Sequence, residues 1–383
     1  MNESDVIVVG AGSVGLPLSM SLGEMGFRVT VIDRHASPGQ GENKHAIGGI
    51  RATHSDPAKI LTCLRSLEIF STWEDKHGED IEWQKGGYTF PVYRKQEETA
   101  LKGILPIQKK FGLEIDWVGP ERIGDVVPGI NGKGLIGGTF SPSDGSASPL
   151  ISANAFYRHG ASNGVDHRFK ENVTSIIVEN GKAVGVNTDK DTYLAPVVVD
   201  AAGGFSREIA RSAGTDIPVV PDSHEGAITE PVRQFFSTMV VDLRPAPGSK
   251  NYYFYQNRHG QIVFCITPNP PIIGTDKRET SIFLPQVARR MVDLLPRLRH
   301  VRVRRVWRGL YPMSPDGSPL VGWNSDVEGL LHASGMCGQG FMLGPGIGEV
   351  CARLIAGKSI ENDRTILEGF DPYRKFGGEE TLK

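Results

Sequence analysis

The chain has 383 residues, 39% of them hydrophobic and 22% charged, with a formal net charge of −2. This is ordinary globular composition, long enough for two domains or one interleaved one, and its near-neutral charge gives no reason to expect nucleic acid or an anionic membrane as partner. No apolar run reaches the roughly 18 residues of a membrane span, the start MNESD shows no signal peptide, and Cys63, Cys265, Cys337 and Cys351 form neither CxxC nor a disulfide framework, which points to a reducing, cytoplasmic setting.

Residues 5–9 open with an apolar run of strand length, and Gly10-x-Gly12-x-x-Gly15 follows at once. A helix-like segment then leads to a second apolar run that ends at Asp33. Strand, glycine turn, helix, strand and acid is the order of a dinucleotide-binding unit. Gly10 permits the tight turn, Gly12 lets a pyrophosphate approach the backbone, and Gly15 lets helix and strand pack closely. Gly10, Ala11, Gly12, Ser13, Val14 and Gly15 are therefore the expected phosphate cradle, with free N–H groups at the helix start. Asp33 can accept hydrogen bonds from a ribose hydroxyl. The motif alone leaves NAD and FAD open.

Further along, residues 57–73 read as a helix, 86–92 as a strand, 97–111 as a helix and 152–164 as another. Asn180-Gly181 supplies a two-residue hairpin turn. Val197–Asp200 is a buried strand that meets Ala201-Ala202-Gly203, and residues 217–320 are strand-rich, with a candidate hairpin at 252–255 and 262–266. A short strand at 330–333 and a helix at 345–356 close the pattern. The fold class expected is α/β (α+β): a Rossmann-like domain interleaved with a substrate domain built on a mixed or antiparallel sheet. Residues 1–80, 145–215 and 325–370 are assigned to the first, and 81–144 and 216–324 to the second.

Three later segments favour FAD. Val173 lies in a strand whose backbone can meet an adenine, and Ala201, Ala202 and Gly203 end a strand beside the pyrophosphate. The segment GMCGQGFMLGPGIG (335–348) sets a second glycine turn before a second helix. That helix start can face the flavin carbonyl on which negative charge accumulates. Gly338, Gln339, Gly340, Phe341, Met342 and Leu343 are accordingly placed beside the ring.

These segments, with GGIRATH (48–54), QKGGYTF (84–90), SPSDGSASP (141–149), TEPV (229–232) and RGLYPMSPDGSPLVG (308–322), resemble the glycine oxidase, sarcosine oxidase and D-amino-acid oxidase family from Val6 to about Ala356. The chain most resembles the β subunits of heteromeric dye-linked L-proline, hydroxyproline, opine and sarcosine dehydrogenases. The resemblance implies a non-covalent FAD enzyme acting on CH–NH donors: a hydride passes from a secondary amine or amino acid to flavin N5, and the imine hydrolyses. It also implies a second (α) subunit and an electron acceptor as partners, and leaves open an FMN at a subunit interface. Asp33 and Arg34 would meet the adenosine, and Asn43, Lys44, His45, Ala46, Gly48, Gly49 and Ile50 would wrap the flavin. Relatives often carry Ser or Thr and Arg near 43–45, so the individual contacts there differ.

Such chemistry needs positioning more than an acid–base triad. Arg51, after the glycines of that loop, suits a substrate carboxylate. Monomeric sarcosine oxidases have an arginine at the matching point. Their second cation, a lysine, falls at Met342, and the carboxylate arginine of glycine oxidase falls at Tyr311. Tyr253 and Tyr255 share one strand face and are the other catalytic candidates; His224 and His259 are weaker ones, and Cys337 lies near the suspected site. Gly309 stands where monomeric sarcosine oxidases attach their flavin through cysteine, and Pro149 where a sarcosine oxidase β subunit links FMN through histidine. No lysine of the oxygen-activating kind is found near 265–270. These differences favour a dehydrogenase. A self-sufficient oxidase releasing hydrogen peroxide, a non-catalytic flavin subunit and an NAD-dependent reductase are the alternatives.

Overall fold

In the computed structural model, which describes residues 2–377, the opening apolar run becomes the strand Val6–Val9 inside a six-stranded sheet. The strand order is Leu320–Trp323, Leu330–Ser334, Val197–Asp200, Val6–Val9, Val29–Asp33, Asp166–Phe169. All neighbours are parallel except the edge pair of Leu320–Trp323 with Leu330–Ser334. A strand covered on both faces needs no alternation, which is why Val6–Val9 reads as unbroken VIVV.

Helices Gly15–Glu24, Pro149–Ser162 and Gly340–Ile355 pack together, with Leu16, Leu18, Phe156, Ile347 and Val350 in one buried cluster. The approach of the first and last of these is unusually close. A Cβ built on Gly344 would lie 1.9 Å from Ser13 O, and one on Gly348 would lie 2.7 Å from Leu18 N. The third of these helices begins at Gly340, a turn before Pro345, which the sequence marked as its start. Proline suits a first turn because its missing N–H is not needed there, but that preference does not exclude it slightly further in.

The second sheet has eight strands in the order Val303–Met313, Val220–Thr229, Ile262–Pro268, Ser249–Gln256, Met239–Asp242, Tyr88–Val92, Gly137–Ser141, Asp116–Val118. It is mixed: only Met239–Asp242 and Tyr88–Val92 run parallel. The candidate hairpin at 252–266 is present as the antiparallel pair Ser249–Gln256 and Ile262–Pro268. Along Ser249–Gln256, Tyr252 and Phe254 point into a cluster with helix Phe283–Leu294, so Tyr253 and Tyr255 point to the opposite face. That helix lies in a stretch that read as strand-rich; Phe283, Val287, Met291 and Leu294 recur at helical spacing and carry its buried face.

One boundary is corrected. Leu320–Trp323, within the 216–324 segment assigned to the substrate domain, pairs with Leu330–Ser334 and edges the parallel sheet. The turn at Asn180-Gly181 has positive φ at both residues (51° and 78°), as a type I′ hairpin requires. Among the described residues no helix is long and apolar enough to cross a membrane, and no group of side chains could hold a metal ion.

The helix contact makes one residue a sensitive probe. Gly344→Ala should destabilise the fold by about 1–3 kcal/mol, because the added methyl meets backbone that cannot rotate away. Thermal melting checks this, with Gly357→Ala, which faces open space at φ 65°, as a control for backbone strain alone.

Candidate active site

The carboxyl ends of Val6–Val9, Val29–Asp33 and Val197–Asp200 open onto a cavity of about 610 Å³. That is within the roughly 300–1,000 Å³ of small-molecule sites, and strand ends are where parallel sheets bind them. Gly10, Gly12, Ser13 and Val14 line it after the first strand, Asp33 and Arg34 after the second, and Ala201, Ala202 and Gly203 after the third. Val173 and residues 338–342, at the start of helix Gly340–Ile355, complete this side. The first N–H groups of any helix lack internal partners, so this start presents donors and a positive dipole end to the cavity.

The first two motif glycines act differently. Gly10 has φ 112°, and a Cβ there would lie 2.6 Å from Ala201 O. A Cβ on Gly12 would meet nothing within 4 Å. Protein packing therefore requires glycine at the first position but not at the second, where only an occupant of the cavity would need the space. Asp33 is fixed by the turn: its Oδ2 accepts from Ala11 N–H and its Oδ1 from His35 N–H, both at 2.7 Å. Oδ1 also lies 2.8 Å from His35 Nδ1, so it is Oδ2 that keeps a lone pair for a ribose hydroxyl. Arg34 stacks on Phe205, 3.9 Å from the ring centre.

The eight-stranded sheet roofs the cavity. Trp307, Gly226, Cys265, Tyr253 and Val241 sit side by side across five strands, and all line it. Asn251, Thr267 and Gly309, two residues along the same strands, and Tyr311, two beyond Gly309, line it too. The hydroxyls of Tyr253 and Tyr311 are 2.7 Å apart. His224 stacks on Tyr311 with ring centres 3.7 Å apart, and its Nε2 is 3.1 Å from Asp222 Oδ2. Burial pushes both tyrosine hydroxyls well up and the Cys265 thiol up to about 12, so all three are neutral donors at ordinary pH.

Arg51 lines the same cavity and is 6% exposed. Its guanidinium donates to Thr53 O and lies 5.6 Å from the centre of the Phe90 ring. Beside it, burial pushes the Asp144 carboxyl up to about 7, against the opposing pull of the Ala52 N–H bond and the Arg51 charge.

Several expected contacts lie behind the wall. Tyr255 donates its hydroxyl to Ile47 O at 2.7 Å and braces the loop instead of facing the cavity. Ile50 and Leu343 are core, Gly15 abuts Gly10, Ala11 is buried with its N–H on Asp33, and Lys44 is exposed. His259 pairs with Glu82 at the surface. His224 and Cys337, by contrast, are in the wall. Gly309 has no room for a side chain, since a Cβ would lie 2.7 Å from His45 Cβ. Sequence reasoning missed Trp307, Asn251, Cys265 and Thr267; the two-residue spacing of Trp307 with Gly309, of Asn251 with Tyr253 and of Cys265 with Thr267 was the available signal.

It also missed Glu42, which joins the loop to the roof. Glu42 accepts from Leu310 N–H at 2.8 Å, pairs with Lys277, and has His45 Nδ1 at 3.1 Å. Burial alone would raise its carboxyl, but these bonds win and lower it from 4.5 to about 2.

The chain matches the FAD dependent oxidoreductase family (DAO) over residues 5–354. It is 26% identical to the bifunctional protein ThiO/ThiG of Nostoc sp. over 93% of this chain and 53% of that protein. To mitochondrial dimethylglycine dehydrogenase of Rattus norvegicus it is 23% identical over 91% of this chain and 42% of that protein. The chain thus spans about half the length of these curated relatives. Its fold superposes on L-proline dehydrogenase from P. horikoshii with TM-score 0.91 and 29% identity, covering 97% and 98% of the two chains. Glycine oxidase from Geobacillus kaustophilus gives TM-score 0.87 and 22% identity, covering 98% and 100%.

The chain belongs to this family of FAD-dependent oxidoreductases, and its cofactor is FAD. The residues present suit that group. Besides the open space at Gly12, the buried Asn43 Oδ1 and Gln339 Oε1 have no hydrogen-bond partner among the described residues, and both residues line the cavity.

Two outcomes follow from this geometry. Gly12→Val should fold with nearly unchanged stability without cofactor but retain several-fold less FAD, read from visible flavin absorbance per protein, because its side chain enters only the cavity. Glu42 is a carboxylate whose folded value is depressed, so its contribution is present above 4.5 and lost as pH falls towards 2. Glu42→Gln should cost about 2–3 kcal/mol at neutral pH, and the gap from the parent melting temperature should close in acid.

Proposed function

We propose that the chain oxidises a secondary α-amino acid, proline-like or N-substituted, and hands the electrons to an acceptor other than oxygen as the β subunit of a larger assembly. The observation that carries this reading is a buried arginine, Arg51, in one cavity with the paired hydroxyls of Tyr253 and Tyr311. FAD, when bound, supplies the hydride acceptor.

The chain's own residues do the positioning. Arg51 would hold the substrate carboxylate through a charged, directional fork. Tyr253 would donate to the same carboxylate while Tyr311 fixes the direction of its hydroxyl, and His224, held by Asp222 at its Nε2, stacks on Tyr311. Trp307, Val241 and Met342 give the site apolar walls that exclude water from the reacting carbon. The start of helix Gly340–Ile355 stabilises the negative charge that arrives with the electrons. The likeness to the P. horikoshii L-proline dehydrogenase over nearly both chains supports the substrate class.

The test is anaerobic flavin reduction by the purified chain. L-Proline, hydroxyproline, sarcosine or an opine should bleach the flavin, whereas bleaching by primary amino acids only would sink the secondary-amine reading. A yellow protein that no substrate bleaches would select the non-catalytic flavin subunit instead. Arg51→Lys should lower kcat/KM for the amino acid by roughly 100-fold, about 2–3 kcal/mol of charged hydrogen bonding. For the matching cyclic amine without a carboxylate the loss should be small. Equal losses would remove Arg51 from carboxylate binding.

A further inference from the structure

Between Asp293 and Asp316 the chain has no acidic residue, yet Arg297, Arg299, Arg302, Arg304 and Arg305 crowd the middle of that stretch. In a chain of net charge −2 this is a local concentration and not a background. The fold displays it. Residues 297–302 lead from helix Phe283–Leu294 into Val303–Met313, the edge strand of the eight-stranded sheet. All five arginines are exposed, and Val303 among them is 41% exposed. Arg297 stacks on Phe235 at 3.8 Å, and Glu230 accepts the backbone N–H of Arg302. Elsewhere on the surface Arg28, Arg168, Arg278 and Arg364 pair with carboxylates. Among the described residues, Arg299, Arg302, Arg304 and Arg305 have no side-chain ion pair.

The same strand enters the wall of the cavity. Trp307, Gly309 and Tyr311 line it, and Arg305 is two residues from Trp307, about 7 Å along a strand. We propose that this arginine-rich strand end is the docking surface for an acidic electron-carrier protein. Complementary charge would speed encounter and hold the carrier near the flavin. Oxidation of an amine to an imine releases two electrons and two protons; the protons go to water and the carrier takes the electrons. The bland alternative is that charge merely keeps a sheet edge from pairing with another chain. Edge protection would serve equally well with either sign.

The carrier's redox role rests on the dehydrogenase reading above, but docking can be tested without substrate. The FAD-loaded chain is reduced photochemically and mixed with an acidic b-type cytochrome or with basic cytochrome c. The acidic cytochrome should be reduced faster, with a rate that falls steeply as salt rises. Arg299→Glu/Arg302→Glu/Arg304→Glu should slow it at least tenfold while leaving flavin content, melting temperature and reduction of a neutral quinone dye unchanged. A salt-independent rate, no preference for the acidic cytochrome, or no effect of the triple change overturns the proposal. So does tighter binding of a DNA duplex than of the acidic cytochrome. Failure of every amine to bleach the flavin would strike the proposed reaction and leave this surface standing.

Discussion

The site depends on one steric constraint: helices Gly15–Glu24 and Gly340–Ile355 touch through backbone. Gly344 lies so close to Ser13 that no side chain fits between them. That contact brings two helix starts, distant in sequence, to one cavity, where both present unpaired N–H groups. One start follows the glycine turn at the strand end and the other follows 335–339. A dinucleotide with charge at its pyrophosphate and developing charge at its ring needs such donors at two separate points. Larger residues at the crossing would separate the helices and with them the two ends of the site.

A second coupling joins the cofactor loop to the roof. Two roof strands reach the loop at residues 42–47: Ser249–Gln256 by Tyr255 through Ile47 O, and Val303–Met313 by Trp307 through His45 O at 2.8 Å and by Leu310 through the Glu42 carboxylate. Glu42 is held charged by its partners against the effect of burial, so it works as an electrostatic clasp between the two sheets. The strand Val303–Met313 belongs to both systems. Its exposed end carries arginines, its middle closes over the loop, and Tyr311 reaches the hydroxyl of Tyr253. Surface charge, cofactor loop and candidate substrate groups are thus linked within eleven residues of one strand.

Local signals were legible where a short-range rule operates. The glycine turn, Asp33 after its strand, the Asn180-Gly181 hairpin and the buried run Val197–Asp200 each follow from neighbours in sequence, and each lies in the structure as such a rule requires. The alternation that sets Tyr253 opposite Tyr252 was legible too. What alternation could not tell was that Tyr255, on the same face as Tyr253, ends against Ile47 O. Position along the sheet decides whether a side chain meets the cavity or the loop beside it, and that position depends on register with strands far away in sequence.

The sequence by itself determined the chemistry on offer: a dinucleotide cradle, a second glycine turn before a helix, and an arginine next to the cofactor loop. These are short patterns whose physical requirements are local, namely a positive φ, a close approach or a free helix end. Only the tertiary structure decided which polar groups share a space. The row from Trp307 to Val241 comes from five strands, and the Glu42 clasp spans residues from 42 to 310. Non-local pairing sets such contacts, and no window of sequence contains both partners. That is why strand alternation alone did not place Trp307 and Cys265, and nothing local placed Glu42, in the walls of the site where they stand.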